Sequence, residues 1–188
     1  NTLGGTIPDA LWDNVRLRVL RLDTNRLAGT ISQRIGNLVR LNDLRLHNNS
    51  LTGTIPLRLL RLTSLEFLLL SNNELTGTIR DAFSTFTRLD FLDLSRNLFS
   101  GTLPATLFNL DRLRIIYLAD NFLEGAIPDN YQNALSLRDL YLNGNLLTGT
   151  VPEIAATSFR NLTELLVNGN SVTGTMPASI CQLRDNAV

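Results

Sequence analysis

The chain has 188 residues, with 17 arginines, no lysine and 17 acidic residues, so its formal net charge is zero. A neutral chain is a poor binder of nucleic-acid phosphates, and the lack of lysine excludes Schiff-base chemistry and a lysine-containing phosphate loop. One histidine and one cysteine exclude most metal sites and the usual catalytic triads. No apolar run is long enough for membrane insertion of this segment, and we predict no cofactor.

A 24-residue repeat runs along the chain. Each repeat has a Gly-Thr-Ile-Pro-like segment, an asparagine four residues before its glycine, and aliphatic residues three, five and eight residues before that asparagine. Leu17, Leu20 and Leu22 stand in this relation to Asn25. Because the asparagine amide carries both donors and acceptors, we expect it to satisfy backbone groups of its own and the next turn. The asparagines of the complete repeats are Asn25, Asn49, Asn73, Asn97, Asn121, Asn145 and Asn170.

Each repeat predicts the same elements in the same order. The aliphatic residues around one outward position have the period of a short strand, and strands at a fixed 24-residue spacing stack in parallel. A bend follows at the asparagine, and the Thr-Gly-Thr segment comes next. The last columns of apolar residues are three residues apart, as Ile35 and Leu38 are, which predicts a 3₁₀ turn.

The pattern L-x-x-L-x-L-x-x-N-x-L-T-G-T-I-P-x-x-L resembles the plant-type leucine-rich repeat of receptor-kinase ectodomains, polygalacturonase inhibitors and related algal proteins. The resemblance covers Asn1 to Arg184 and implies an α/β right-handed solenoid. Its concave face is a parallel sheet, and its convex side has 3₁₀ or short helical turns, with a second small sheet near the L-x-G-x-I-P segment. Ser32 and Arg80 depart from the pattern at the proline, and Ala126 departs from it at the threonine.

The same resemblance sets our expectations for the ends of the chain. We expect one domain over 1–188, with about seven complete repeats of 24 to 25 residues, a partial first turn, and the start of a C-terminal cap near 179–188. It also implies that Cys181 is half of a cap disulfide. The parent protein is then secreted or a receptor ectodomain, in an extracellular or lumenal compartment.

The outward positions of the predicted strands form the candidate ligand-binding surface. The row four residues before the asparagines and the row six residues before them combine arginines, carboxylates and exposed aromatic rings, a composition typical of interfaces. The candidate binding residues are Arg21, Arg45, Phe67, Leu69, Asp90, Phe91, Asp93, Ile115, Tyr117 and Tyr141.

Three interpretations of this surface stay open at this point. Phe67, Phe91 and Ile115 can pack on one another along the sheet with no ligand. Alternatively, the surface holds a protein or peptide segment, or a glycan laid across Tyr117 and Tyr141. Glu66, Asp90 and Asp93 lie on neighbouring rungs and can serve acid–base chemistry or bind a cation. Because Arg45 and Arg114 flank them, we favour a salt-bridged surface and predict no catalytic or metal-binding residue.

We therefore predict a non-enzymatic recognition module that binds a protein or peptide on its concave sheet. An assembly role is the alternative, in which the solenoid docks by its flank or ends. A remote alternative is ice binding by the Thr-Gly-Thr rows, of which Thr76 and Thr78 are members. Two glycosylation sequons, at Asn48 and Asn161, are candidates that chance alone also explains.

Overall fold

The computed structural model describes residues 1–130, 134–153 and 161–178. The predicted cap near 179–188, with Cys181, lies outside those residues. The domain boundaries therefore remain a prediction.

The strand that precedes each asparagine forms the predicted parallel sheet, which we call the concave sheet. Equivalent leucines stand side by side on neighbouring strands, as Leu20 and Leu44 do, because the repeat length sets the register. These leucines point into the core, and the residues on both sides of them point outward. The strands are β2 (Val19–Arg21), β4 (Asp43–Arg45), β6 (Phe67–Leu69), β8 (Phe91–Asp93), β10 (Ile115–Tyr117), β12 (Asp139–Tyr141) and β14 (Glu164–Leu166).

A second parallel sheet follows the asparagines, and we call it the flank sheet. The glycine at the repeat position has positive φ in these strands, and at Gly53 (φ 76°) an added Cβ would lie 2.9 Å from Cγ2 of Thr30 on the preceding turn. Both the dihedral and the close approach therefore require glycine there. The strands are β1 (Gly4–Thr6), β3 (Arg26–Thr30), β5 (Ser50–Thr54), β7 (Glu74–Thr78), β9 (Leu98–Thr102), β11 (Phe122–Ala126) and β13 (Leu146–Thr148).

Five short 3₁₀ turns lie between a flank strand and the next concave strand in the described part of the chain. They bury an apolar residue at the predicted position, as Ile35, Leu59 and Phe83 show. At Ser32, where the pattern has proline, the hydroxyl caps the turn by accepting a hydrogen bond from the Arg34 amide (3.3 Å). The turns span Asp9–Asp13, Gln33–Asn37, Leu57–Arg61, Asp81–Thr85 and Ala105–Asn109.

The repeat asparagines form a hydrogen-bonded ladder, as predicted. Asn97 is only 5% exposed, and its Oδ1 accepts from the Leu75 amide of the preceding turn at 3.0 Å. Its Nδ2 donates to the carbonyls of Leu70, on that turn, and Leu94, on its own. Each asparagine thus joins two turns, and the leucine core lies between the two sheets and the 3₁₀ turns.

The residue just before several of these asparagines adopts a left-handed conformation, which the sequence did not predict. Side chains other than glycine occupy this position in five turns, although such dihedrals favour glycine or asparagine. The backbone reverses there, between the two sheets, so every turn needs the same dihedral. The residues are Thr24, Asn48, Asn72, Arg96, Asp120, Gly144 and Gly169, with φ between 52° and 66°.

Candidate functional site

The concave sheet presents two outward rows of side chains, and strand register sets the neighbours within each row. The first row contains an apolar stretch in which Phe91 stands beside Phe67 and Ile115. The second row begins with charged groups and ends with aromatic and apolar ones. It comprises Arg21, Arg45, Leu69, Asp93, Tyr117, Tyr141 and Leu166.

Three aromatic side chains pack in series, first from one row to the other and then along the second row. The ring of Phe91 meets the ring of Tyr117 edge to face, with centroids 5.3 Å apart. Tyr117 stacks on Tyr141 at 4.2 Å with an interplanar angle of 14°. All three rings are half-buried, so they form a pre-ordered apolar surface that still has area to offer a ligand. We call Phe91, Tyr117 and Tyr141 the aromatic row.

A buried carboxylate organises the N-terminal end of the surface. Asp43 is 4% exposed, and its two oxygens accept hydrogen bonds from different arginines. Arg21 donates from Nη2 to Oδ2 at 2.6 Å, and Arg45 donates from Nε to Oδ1 at 2.8 Å. The guanidinium of Arg45 also lies 5.6 Å from the ring centroid of Phe67. Two arginines therefore share one carboxylate and leave positive charge at the start of the surface.

The central carboxylates are engaged by neighbouring side chains. Asp90 accepts two hydrogen bonds from Arg114, which raise the pKa of the guanidinium, the side-chain hydrogen bond being the larger cause. Asp93 accepts from the hydroxyls of Ser71 (2.6 Å) and Ser95 (2.7 Å). The salt-bridged interpretation thus describes Asp90, while Asp93 is held by hydroxyl groups. Both carboxylates already accept hydrogen bonds from neighbouring side chains, which does not resemble a pair of carboxylates placed for acid–base catalysis.

A tyrosine–glutamate contact ends the aromatic row. The hydroxyl of Tyr141 donates a hydrogen bond to Glu164, and this bond is the largest cause of the raised pKa of Tyr141. The pKa of Tyr117 is raised mainly by burial. Both side chains are therefore neutral phenols at neutral pH, and Glu164 holds Tyr141 in place.

An open pocket of about 360 Å³ lies beside the aromatic row. Tyr117 and Tyr141 form one side of it, and Asp120 and Asn143 contribute polar groups. The Oδ1 atom of Asn143 is buried and has no hydrogen-bond partner. The pocket therefore combines an aromatic wall with polar side chains, as binding pockets commonly do.

Leu69 is the one candidate residue whose accessibility the sequence misjudged. It occupies an outward position between Arg45 and Asp93, as predicted, but it is only 8% exposed. The longer or hydrogen-bonded side chains on both neighbouring rungs leave little of the leucine accessible. Leu69 therefore belongs to the floor of the surface and offers a ligand little contact area.

The other predicted binding residues lie on the surface. Phe67, Phe91, Ile115, Tyr117 and Tyr141 are half-buried on their outward positions. The rings of Phe91, Tyr117 and Tyr141 pack on one another, and each keeps some exposed area. The sequence did not identify the residues that support this surface, because only their contacts in the structure distinguish them from other outward residues. They are Asp43, Ser71, Ser95, Asn143 and Glu164.

Both sequon asparagines use their side-chain nitrogen. Asn161 is exposed and donates from Nδ2 to the Leu135 carbonyl at 2.8 Å. Asn48 is exposed and donates from Nδ2 to Oγ1 of Thr24 at 3.5 Å. Glycosylation of either residue remains a prediction. Within the described ranges no three metal-binding side chains cluster, and no helix there is long and apolar enough to cross a membrane.

Comparison with known proteins places the chain among repeat proteins of one family. A leucine-rich repeat profile matches residues 63–123, and a second one matches 136–157 and 161–183. No curated protein sequence matches significantly. The Arabidopsis receptor kinase HAESA ectodomain, solved with an IDA peptide hormone ligand, is 33% identical with a TM-score of 0.94. That match covers 97% of this chain and 31% of the ectodomain, so the chain spans less than a third of it.

Two further matches to solved structures extend over a larger share of the solved chain. A plant ice-binding protein is 30% identical with a TM-score of 0.81, over 95% of this chain and 65% of that one. Pollen Receptor Kinase 3 is 32% identical with a TM-score of 0.75, over 84% of this chain and 76% of that one. These matches agree with the two sheets, the 3₁₀ turns and the asparagine ladder. The chain belongs to the leucine-rich repeat family and is of the plant type that forms receptor-kinase ectodomains.

Proposed function

We propose that this chain is a non-enzymatic recognition segment that binds a peptide on its concave sheet, as part of a longer extracellular or receptor protein. The aromatic row is the observation that carries the proposal. It places three half-buried rings in continuous contact on the outward side of the sheet. The peptide-hormone complex of the similar HAESA ectodomain supports the same class of ligand.

The mechanism is burial of apolar peptide side chains against rings that are already ordered. Tyr117 is fixed between Phe91 and Tyr141, so little side-chain entropy is lost when a ligand covers it. Arg21 and Arg45, held by Asp43, orient a charged part of the peptide at one end. In the pocket beside the row, Asp120 and Asn143 offer polar side chains to the peptide.

We do not propose a glycan ligand for Tyr117 and Tyr141. A sugar ring binds an aromatic platform through an open ring face. The two tyrosine rings stack on each other at 4.2 Å, so each ring has one face covered by the other. The HAESA ectodomain, which is similar to this chain, was solved with a peptide hormone as its ligand.

The test begins with peptides selected from a random display library on the 188-residue chain. Phe91→Ala and Tyr117→Ala should each lower the affinity for the selected peptides by at least 10-fold, because removal of a ring at the centre of an interface costs over about 1.4 kcal/mol of binding free energy. Phe122→Ala is the matched control, since Phe122 is 50% exposed on the flank sheet. Unchanged melting temperatures would show that the fold is retained.

The same variants distinguish recognition from the assembly role. Leu98, Phe122 and Leu146 are exposed apolar residues on successive strands of the flank sheet. If Phe122→Ala reduces binding of a natural partner and Phe91→Ala does not, the flank is the docking surface and our proposal is wrong.

A second candidate function, ice binding, has one specific structural feature in its favour. The flank sheet carries an exposed threonine at the same repeat position on successive parallel strands, and strand register places Thr30 beside Thr52 and Thr54 beside Thr76. Ala126 interrupts this row. The row contains Thr6, Thr30, Thr54, Thr78 and Thr102. The similarity to a plant ice-binding protein supports the candidate.

Ice binding has its own measurement. Thermal hysteresis and inhibition of ice recrystallisation should be present in the wild-type chain and abolished by Thr78→Tyr, because a large ring disrupts a flat row. Tyr117→Ala on the concave sheet should leave both activities unchanged. A wild-type chain without either activity eliminates this candidate and leaves the peptide proposal untouched.

A further inference from the structure

A second pocket, of about 320 Å³, lies where the chain enters the concave strands of the first repeats. It is separate from the pocket beside Tyr117 and Tyr141 and shares no lining residue with it. Its lining residues are all polar or charged: Arg18, Arg40, Asn42, Ser64, Glu66 and Arg88. We call it the arginine pocket.

The repeat brings these side chains together. Arg18, Asn42 and Glu66 occupy the same repeat position on three successive turns. The Asn42 amide donates to the Arg18 carbonyl, and the Glu66 amide donates to the Asn42 carbonyl, each at 2.8 Å. The backbone therefore holds this row at strand spacing. Arg40 and Arg88 flank the row from an equivalent position two residues earlier in their repeats.

The charges of the arginine pocket are not compensated within the described part of the chain. Three guanidinium groups face one carboxylate, and none of the three lies within 4.0 Å of a described acidic oxygen. The next members of the same row behave differently, because Asp90 and Arg114 form an ion pair. The pocket thus retains a formal charge of plus two where its neighbours are neutralised.

The amide of Asn42 adds an unused polar group. Its Oδ1 atom is buried without a hydrogen-bond partner, which is a costly arrangement for an isolated fold. The pocket itself offers three guanidinium groups to an incoming acceptor, and Asn42 lines it beside them.

We infer that the arginine pocket binds a carboxylate of an acidic peptide segment. This inference rests on the proposed peptide function, because Glu66 directly precedes Phe67 and the pocket adjoins the concave surface. Guanidinium groups bind carboxylates in a planar, two-point geometry. A nucleic acid is a poor fit, since the pocket contains an acid and the whole chain has zero net charge.

The experiment uses fluorescein-labelled hexaglutamate as the probe and fluorescence anisotropy at low ionic strength as the readout. Arg40→Ala and Arg88→Ala should each weaken binding by about 10-fold, whereas Glu66→Gln should strengthen it several-fold by removing the one negative charge. Arg80→Ala is the matched control, because Arg80 is an exposed arginine outside the pocket. That variant should change affinity by less than about twofold.

Three results would overturn the inference. Arg80→Ala could lower the affinity for hexaglutamate as much as the pocket variants do, which would indicate general charge attraction. Glu66→Gln could leave affinity unchanged. Inorganic phosphate could displace the probe at equal or lower concentration than the peptide itself, which would assign the pocket to a free oxyanion.

Failure of this inference is distinguishable from failure of the peptide proposal. Hexaglutamate has no apolar side chains, so its binding is independent of the aromatic row, and Phe91→Ala should leave it unchanged. Library peptides selected on the wild-type chain depend on Phe91 and Tyr117 whether or not they contain acidic residues.

Discussion

Asp43 binds Arg21 with one carboxylate oxygen and Arg45 with the other, from a position only 4% exposed at the edge of the candidate surface. The two arginines are 24 residues apart and stand on neighbouring strands. A single buried acid therefore sets the position of both. Its side chain is needed for the shape of the surface even though it offers little area to a ligand.

Asp43→Asn should destabilise the fold. The amide keeps the volume but loses the charge that both guanidinium groups require, and we expect the free energy of unfolding to fall by about 1 to 3 kcal/mol. Urea denaturation followed by circular dichroism measures this change. Asp111→Asn removes an equivalent charge from an exposed position and should change stability by less than about 0.5 kcal/mol. Equal effects of the two substitutions would contradict the shared-carboxylate arrangement.

Thr24→Asn should stabilise the fold. Thr24 adopts φ 54°, which is unfavourable for a β-branched residue, and asparagine occupies the same position at Asn48 and Asn72 on the next two turns. We expect a gain of about 0.5 to 1 kcal/mol. The reciprocal change, Asn72→Thr, should lose a similar amount and also the bond from Asn72 to Asn48. Thermal unfolding of both variants tests the sign, and a destabilised Thr24→Asn would refute the explanation.

Gly53→Ala should be more destabilising than Gly149→Ala. Both glycines have nearly the same φ, 76° and 77°, so the dihedral cost is shared. The added Cβ would lie 2.9 Å from Cγ2 of Thr30 in the first case, but 3.5 Å from Cβ of Ala126 in the second. We expect an extra cost of about 1 kcal/mol or more for Gly53→Ala. Adding Thr30→Ala should remove most of that difference, and an unchanged difference would exclude the steric cause.

Removal of Glu164 should lower the pKa of Tyr141. The phenol donates a hydrogen bond to this carboxylate, and ionisation would break the bond and place two negative charges together, so the pKa is raised. Glu164→Ala should therefore shift part of the alkaline tyrosine absorbance change at 295 nm to lower pH. A titration curve identical to that of the wild type would contradict the contact.

The hydrogen bond between Tyr141 and Glu164 also makes the stability of the fold depend on pH. A group whose pKa is raised by folding contributes its full stabilisation below the unfolded value, about 10 for tyrosine. That contribution is lost as pH rises through the folded pKa. The difference in melting temperature between wild type and Glu164→Ala should therefore be constant between pH 7 and 9 and should decrease in strong alkali.

The repeat in the sequence was sufficient to predict the architecture. A period of 24 residues, with leucines three, five and eight residues before an asparagine, predicts that equivalent residues of the concave strands lie side by side, as Leu20 and Leu44 do. The asparagine ladder and the outward rows followed from the same register. The similarity of the turns explains why Tyr117 and Tyr141 were correctly placed as neighbours.

Only the tertiary structure decided which of the outward residues a ligand can reach and what holds them. Leu69 shares the row of Tyr117, yet its neighbours cover it, whereas diagonal contact between Phe91 and Tyr117 leaves both rings half-exposed. Asp43 became important through hydrogen bonds from Arg45 on its own strand and from Arg21 on the neighbouring strand. A repeat pattern specifies positions along and across a sheet, but rotamers and lateral contacts depend on the particular side chains of adjacent turns, which differ at every rung.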